Sequence, residues 1–167
     1  MTEMNTAPQL APRERCTGCT ACCNGCPKGA IRMVPDREGF LYPQVTDGCV
    51  QCGHCTHICP VLKQREPRTE PAAFIVWNGD ESVRRASTAG GAFSALAEFV
   101  LESGGVVFGA AMDDALRVVH LSVKNPHDLP RLRGVKPVQS DIGESYQQAR
   151  LYLDQGRQVL FSGTPCQ

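Results

Sequence analysis

The chain has 167 residues, enough for one ordinary domain or two small ones, and its 17 basic and 17 acidic side chains leave no formal net charge. Apolar residues make up 42% and charged residues 20%, as in folded globular proteins, and no apolar stretch approaches the length of a membrane span. Without a basic stripe or such a span, the sequence argues against a nucleic-acid-binding protein and against an integral membrane protein.

The N-terminal stretch carries no signal of a folded element. Residues 1–12 are polar and contain proline without apolar periodicity, so they are predicted to form a disordered tail. No apolar core of a secretion signal precedes the first cysteine, and Arg13 and Arg15 lie directly before it. Because disulfides belong to oxidising compartments, this cysteine-rich chain is expected to remain reduced in the cytoplasm.

Two copies of one cysteine spacing dominate residues 13–62, the predicted first domain. The copies are Cys16, Cys19, Cys22 and Cys26 followed by Pro27, and Cys49, Cys52, Cys55 and Cys59 followed by Pro60. Each reads C-x-x-C-x-x-C-x-x-x-C-P, the run that binds a cubane iron–sulfur cluster. The fourth cysteine follows a longer spacer and precedes a proline that turns the chain away, which places it to reach the neighbouring cluster. The spacing therefore assigns one [4Fe-4S] cluster to Cys16, Cys19, Cys22 and Cys59, and a second to Cys49, Cys52, Cys55 and Cys26, as in a bicluster ferredoxin-like domain that transfers electrons.

Other uses of these cysteines fit the pattern less well. Disulfides would need an oxidising compartment, and structural zinc sites use cysteine pairs separated by a long loop. Cys23 lies opposite Thr56 when the runs are overlaid, which indicates a thiol that is not a ligand. His54 and His57 fall inside the second run and are interpreted as hydrogen-bond donors or surface residues, with tuning of a cluster potential as the alternative.

The segment between the runs, AIRMVPDREGFLYPQVT, predicts a hairpin that turns at residues 36–39. A domain this small buries little apolar area, so metal binding is expected to supply much of its folding free energy. Eight bound thiolates would also make it negative, which favours a redox protein partner or oxidoreductase subunit with a positive docking surface.

Residues 63–71 are charged and rich in proline, as in a linker, and residues 72–167 then follow an α/β pattern. The apolar run AAFIVW at residues 72–77 predicts a buried strand, and GVVFGAAM at residues 105–112 predicts a second. A helix is expected at about residues 92–102, an edge strand at 117–124, a helix from about Asp141 to Gly156 with a capping box at Glu144, and a last strand in RQVLFSG. Strand, helix and strand in this order imply parallel pairing.

Two glycine-containing loops are candidate ligand sites. ASTAGG at residues 86–91 precedes a predicted helix, where free N–H groups and the helix dipole favour an anion, although such loops also serve as ordinary caps and turns. SGTPCQ at residues 162–167 follows the last strand. Ligands of open parallel sheets gather beyond the carboxyl ends of strands, where both loops are expected.

Two long segments carry a family resemblance. RRASTAGGAFSALAEFVLESGGVVFGAA and GVKPVQSDIGESYQQARLYLDQGRQVLFSGTPCQ resemble the N-terminal half of the coenzyme F420 hydrogenase/dehydrogenase beta-subunit family, over about residues 73–167. The resemblance implies a flavoprotein that binds FAD and passes electrons between iron–sulfur clusters and a deazaflavin, or another organic or protein acceptor. The candidate flavin-binding residues that the resemblance implies are Ser87, Thr88, Gly90, Gly91, Gly163, Thr164 and Pro165.

The chain departs from that family in length, because it stops at Gln167 after a loop motif, so it is interpreted as a truncated product with an incomplete α/β domain. Cys166 is a packed residue, a reactive thiol or a cluster ligand, and the sequence does not separate these roles. Two functions stay open. One is an iron–sulfur flavoprotein oxidoreductase, whose catalytic residues the sequence does not identify, and the other is a non-catalytic electron-wiring subunit that docks a redox partner.

Overall fold

A computed structural model of the chain describes residues 8–63 and 72–167. The chain divides into two compact units, one formed by Met1–Thr69 with Pro165–Gln167 and the other by Glu70–Thr164. Helices and strands occur in both units, in agreement with the predicted α+β class. Within the described residues, every helix is too short or too polar to cross a membrane.

The first unit consists of two short helices and a hairpin. Its elements are α1 (Ala21–Asn24), β1 (Ile31–Pro35), β2 (Leu41–Val45) and α2 (His54–Ile58). β1 and β2 pair antiparallel, with Ile31 opposite Val45 and Pro35 opposite Leu41, so the predicted hairpin is confirmed. The helices lie within the two cysteine runs, and the hairpin connects them.

Asp36 organises the hairpin turn. Its Oδ1 accepts hydrogen bonds from the N–H groups of Glu38 and Phe40 at 2.9 and 3.0 Å, and its Oδ2 accepts one from the Arg13 guanidinium at 2.6 Å. The same guanidinium lies 4.3 Å from the centre of the Tyr42 ring. Desolvation opposes ionisation of Asp36, but the hydrogen bonds outweigh it and lower the pKa of this carboxyl. Arg13 therefore ties the start of the first cysteine run to the hairpin.

Residues 8–12 belong to the stretch for which a disordered tail was expected, yet they make defined contacts. The Thr56 hydroxyl donates a hydrogen bond to the Gln9 carbonyl at 2.7 Å, and the N–H groups of Arg15 and Cys16 donate to the Pro12 carbonyl at 2.9 Å. Residues 1–7 of the predicted tail and residues 64–71 of the predicted linker lie outside the described residues.

The second unit is built on a three-stranded sheet, with β3 (Val106–Met112) between β4 (Val118–Val123) and β5 (Val159–Phe161). β4 pairs antiparallel with the central β3, and β5 pairs parallel with the other side of β3. A parallel pair is present, as predicted, but β4, the strand that directly precedes the last helix, does not pair with β5 and runs opposite to it. β4 has the outer position predicted for residues 117–124, where Val119 forms a single bridge with Asp141. The elements are α3 (Glu81–Arg85), α4 (Ala92–Glu102), β3 (Val106–Met112), β4 (Val118–Val123), a 3-10 helix (Pro126–Leu132), α5 (Ser145–Asp154) and β5 (Val159–Phe161).

Alternation along β3 places helices on both faces of this sheet. Val107 and Ala111 pack with α4 and the 3-10 helix, whereas Val106 and Phe108 pack with α5 and the ring of Phe161. All four of these β3 side chains are essentially inaccessible to solvent. The result is a three-layer arrangement with β3 at its centre, as expected of an α/β unit.

The predicted buried strand at residues 72–77 is wrong. These residues form no strand, and Phe74 and Ile75 are 81% and 93% exposed. The Asn78 N–H instead donates to the Gly90 carbonyl at 2.6 Å, and a Cβ at Gly90 would lie 2.5 Å from the Val76 carbonyl oxygen. The segment therefore lies against the glycine loop. The prediction failed because an apolar run by itself does not specify which part of the chain it pairs with.

The second predicted helix is real but begins later than expected. α5 starts at Ser145, and Glu144 is its N-cap residue without a side-chain capping hydrogen bond, so the predicted capping box does not form. Asp141 is engaged elsewhere: its carboxylate accepts from the Gly143 N–H at 2.9 Å, and its backbone pairs with Val118 and His120 of β4. This strand-like pairing competes with a helical start at Asp141.

Candidate metal centre and cofactor cleft

The first candidate site is a cavity whose wall combines cysteines from both runs. Three come from the first run and one from the second, namely Cys16, Cys19, Cys22 and Cys59. α1 carries Cys22, and Cys59 directly follows α2. Most of the remaining wall is apolar and includes Leu10, Ala11, Met33, Pro43 and Val61.

The second candidate site has the complementary composition. Its wall contains Cys26 from the first run with Cys49, Cys52 and Cys55 from the second. The rest of the wall is more polar and includes Lys28, Gln51 and His54 beside Pro8, Ile31 and Val50. The fold thus brings together the same two sets of four cysteines that the spacing groups, while their role as ligands stays a prediction.

The backbone repeats its path through the two runs. Gly18 and its counterpart Gln51 have φ values of 64° and 55°, and Thr20 and its counterpart Gly53 have φ values of 62° and 71°. Thr20 and Gly53 are also the N-cap residues of α1 and α2. A left-handed conformation costs a residue with a Cβ about 1–2 kcal/mol. Thr20 and Gln51 adopt it because the turns between the cysteines require it.

Backbone N–H groups point at thiol sulfurs of the second site. The Ala30 N–H donates to Cys26 Sγ at 3.3 Å, and the Gln51 N–H donates to Cys49 Sγ at 3.4 Å. Hydrogen bonds of this kind stabilise negative charge on sulfur and tune the potential of a bound cluster.

Comparison with known proteins agrees with this geometry. Residues 15–63 match the 4Fe-4S dicluster domain family. They form a 4Fe-4S dicluster ferredoxin domain. Iron–sulfur electron transfer is therefore the function of this part of the chain.

Two curated proteins of Methanocaldococcus jannaschii are similar to the chain. One is an uncharacterized ferredoxin, 35% identical over 51 residues, which are 30% of this chain and 66% of that protein. The other is an uncharacterized polyferredoxin-like protein, 31% identical over 64 residues, which are 33% of this chain and 38% of that protein. The chain thus spans just under two thirds of the first relative and well under half of the second.

The thiols of the dicluster domain fit a group that supplies positive charge. Burial and the neighbouring Cys19 thiolate raise the pKa of Cys22 to about 12. The thiolate form that binds metal is therefore unfavourable there until a cation is close, and a cluster iron provides that cation.

Cys23 has a different environment from the eight cysteines of the runs. It lines neither of the two cavities, and its Sγ donates a hydrogen bond to the Ile31 carbonyl at 3.0 Å. Burial and the neighbouring Cys26 raise the pKa of this thiol. These contacts agree with the interpretation of Cys23 as a thiol outside the ligand sets. Of the two histidines in the second cysteine run, His54 lines the second cavity, and His57 is exposed.

The cysteines are not gathered around single points. Among residues 8–63 and 72–167, no three His, Cys, Asp or Glu side chains are arranged to hold one metal ion. A mononuclear zinc site needs donors about 2.3 Å from one centre, whereas a cubane distributes its thiolates over separate iron corners. The four cysteines in each cavity wall match the second arrangement in number, since a cubane takes four thiolates.

The glycine loop of the second unit lines a separate cleft of about 450 Å³. Of the predicted flavin-binding residues, Ser87, Thr88, Gly90 and Gly91 line it, together with Phe74, Ile75, Val76 and Arg133. Gly91 is the N-cap residue of α4 with φ 78°, and Ser87 Oγ donates to the Val83 carbonyl at 2.8 Å. The volume is in the range of small-molecule sites, about 300–1,000 Å³.

Arg133 was missed by sequence reasoning because no local motif marks it. Its Nε donates to Ser94 Oγ at 3.0 Å, and its guanidinium pairs with Glu98 at 3.4 Å. Both partners lie on α4, far from Arg133 in sequence, so only the tertiary fold brings this cation to the cleft.

The second predicted loop is not part of the cleft wall. Gly163, Thr164 and Pro165 are absent from the residues that line it. The Ser162 N–H donates to the Phe108 carbonyl at 3.0 Å, and His120 Nε2 donates to the Ser162 carbonyl at 2.8 Å. Burial lowers the pKa of His120. Cys166 groups with the first unit, and its role stays open.

Proposed function

We propose that the dicluster domain holds one [4Fe-4S] cluster in each cysteine-lined cavity and carries single electrons between a redox partner and an acceptor. The first ligand set is Cys16, Cys19, Cys22 and Cys59, and the second is Cys26, Cys49, Cys52 and Cys55. The observation that carries this proposal is the exchange of the fourth cysteine between the runs, since each cavity receives three cysteines from one run and one from the other. Interleaved ligands of this kind serve two neighbouring clusters.

The crossing of ligands also explains why the two runs fold together. A cluster bound in the first cavity would tie Cys59 to the first run, and one in the second cavity would tie Cys26 to the second run. Each cluster would thereby cross-link distant parts of the chain. Electron transfer through such a pair requires no proton donor or nucleophile, so the domain needs no acid–base residue of its own.

Anaerobic reconstitution of the full chain with iron and sulfide tests this proposal. We expect about eight irons per chain, as two cubanes require, and a broad visible absorption that bleaches on reduction. Cys59→Ala and Cys26→Ala are each expected to lose about half of the iron. The matched control is Cys23→Ala, which removes a thiol that lines neither cavity and should keep the full iron content. Zinc in place of iron, or equal loss in all three variants, would contradict the assignment.

For residues 72–167 we propose a role as the N-terminal part of a flavin-dependent oxidoreductase domain of the F420 hydrogenase/dehydrogenase beta-subunit type. The support is the family resemblance together with the cleft, where Ser87, Thr88, Gly90 and Gly91 are close to the cation of Arg133. Glycines let backbone approach a ligand closely, and hydroxyls and a guanidinium suit its phosphate groups. FAD bound there would accept electrons singly and pass them on in pairs to a deazaflavin or another organic acceptor.

The alternative is a non-catalytic wiring subunit, whose second unit docks a redox protein. The exposure of Phe74 and Ile75 favours this candidate, because exposed apolar side chains next to each other mark interaction surfaces.

Binding of FAD to the cluster-loaded full chain separates the two functions, with flavin fluorescence as the measurement. The flavin proposal predicts saturable quenching that is lost in Gly90→Ala, because the added Cβ would lie 2.5 Å from the Val76 carbonyl oxygen in the cleft wall. Gly79→Ala is the matched control, since a Cβ there meets no atom within 4 Å. Clusters without flavin binding would favour the wiring subunit.

A further inference from the structure

The two cysteine-lined cavities differ in exposure at matched positions. Aligning the runs by their cysteines pairs Cys19 with Cys52, the second cysteine of each run. Cys19 is buried, with 9% of its surface exposed, whereas Cys52 is exposed. The apolar residues Leu10 and Ala11 line the cavity that contains Cys19. Val50, two residues before Cys52, is by contrast 58% exposed. At the third cysteines the order is reversed, since Cys55 is buried and Cys22 is half-buried, so it is the Cys52 corner of the second site that opens to solvent.

The cavities also differ in charge. Val61 lines the first cavity and Lys28 lines the second, and each is the second residue after the fourth cysteine of its run. Arg15 is a further cation near the first cavity, but it reaches the Val61 carbonyl only at 3.5 Å and does not line the cavity. The repeat thus places a neutral side chain at one site and an ammonium group at the equivalent place of the other.

These differences act in one direction on a reduction potential. Reduction adds one negative charge to a cluster, so a nearby cation, solvent and N–H donors all stabilise the reduced form and raise the potential. At the second site, Lys28 supplies the cation and Cys52 is exposed to solvent, whereas N–H donors reach sulfur at both sites, since the Cys23 N–H donates to Cys22 at the first.

We propose that the site of Cys26, Cys49, Cys52 and Cys55 is the electron-exchange port of the dicluster domain. A cluster there has the higher potential of the two, and electrons enter and leave through the surface around Cys52. The inference rests on the proposed function, since it requires a cluster in each cavity. In each exchange, a reduced carrier protein gives up one electron, and the cluster at the port is reduced by that one electron. No bond is formed or broken, and no proton moves.

Voltammetry of the cluster-loaded full chain tests the port, because the internal repeat supplies reciprocal variants. The unmodified protein should show two reduction waves. Lys28→Val should move only the upper wave, to lower potential, and Val61→Lys should move only the lower wave, to higher potential. In the double variant the two waves should approach each other. Arg37→Val is the charge control, since Arg37 lies in the hairpin turn and lines neither cavity, and it should leave both waves in place.

A second measurement reports exposure directly. With the protein poised between the two waves, only the upper cluster is reduced, and a soluble chromium oxalate complex should broaden its electron paramagnetic resonance signal. Full reduction should then add a signal that is broadened less. Two results would overturn the port and leave the proposed function standing, provided that the chain binds eight irons. One is that Lys28→Val moves the lower wave or neither wave, and the other is that the signal of the lower-potential cluster is the one broadened. Failure to bind iron would overturn both.

Discussion

Gly53 has the conformation that closes the turn between two proposed cluster ligands, and Gly53→Ala tests how much the turn depends on it. Its φ is +71°, and a Cβ added there meets no atom within 4 Å, so the substitution changes backbone strain without a clash. Placing a side chain in the left-handed region costs about 1–2 kcal/mol. Alanine also restricts the unfolded chain, which offsets about 0.4–1 kcal/mol, so the net loss should be about 1 kcal/mol.

Gly48→Ala is the matched control in the same unit. Its φ lies outside the left-handed region, and its added Cβ would lie 3.8 Å from Ala30 Cβ, an ordinary contact. This variant should therefore keep or slightly gain stability. Because cluster loss is irreversible, the assay is the rate at which the visible absorption of the loaded protein decays in denaturant under anaerobic conditions.

A loss of about 1 kcal/mol corresponds to a roughly fivefold faster decay for Gly53→Ala if the turn opens before the transition state. Equal decay rates for the two alanine variants would refute this reasoning, because the loss would then come from replacing any glycine and not from the left-handed conformation of Gly53.

Three further predictions concern packing, charge and metal. Phe108→Ala should lower the stability of the second unit by about 3–5 kcal/mol in thermal unfolding, because this ring is fully buried, whereas exposed Phe74→Ala should change it by less than about 0.5 kcal/mol. Hydrogen bonds from the Arg117 backbone and side chain lower the pKa of Asp113. The ionised Asp113 therefore stabilises the fold above the pKa of an unfolded aspartate, and this stabilisation is lost as the pH falls through the lowered pKa. Arg117→Gln should raise the pKa of Asp113 in a carbon NMR titration. Iron chelation should remove hydrogen-exchange protection from residues 8–63 while protection in β3 persists, and equal loss in both would contradict independent cores.

The cysteine sites were predictable because their information is local. Ligand spacing, the proline after each run and the hairpin between them all lie within short segments, and the fold groups the cysteines as the spacing does. The central strand β3 was equally clear, since seven apolar or small residues in a row fit a strand covered on both faces.

Long-range choices were not predictable. Residues 72–77 have the composition of a buried strand, but their backbone lies against Gly90, and no local pattern distinguishes these outcomes. Asp141 has the spacing of a helix cap, yet its backbone pairs with β4. The same holds for Arg133 at the cleft and for the unequal exposure of Cys19 and Cys52, because each depends on residues brought together only by the tertiary fold.

Folding and function are coupled differently in the two units. In the described part of the first unit, the buried apolar side chains are Cys19, Ala30, Ile31 and Cys55, so half of them are cysteines of the proposed ligand sets. The second unit buries its own aliphatic and aromatic core around β3. We therefore expect the first unit to depend on bound iron–sulfur clusters for a core, since so few apolar groups do not offset the entropy of ordering the chain. On this proposal, metal binding would both fold the dicluster domain and make it able to carry electrons, whereas the second unit has an apolar core that needs no metal.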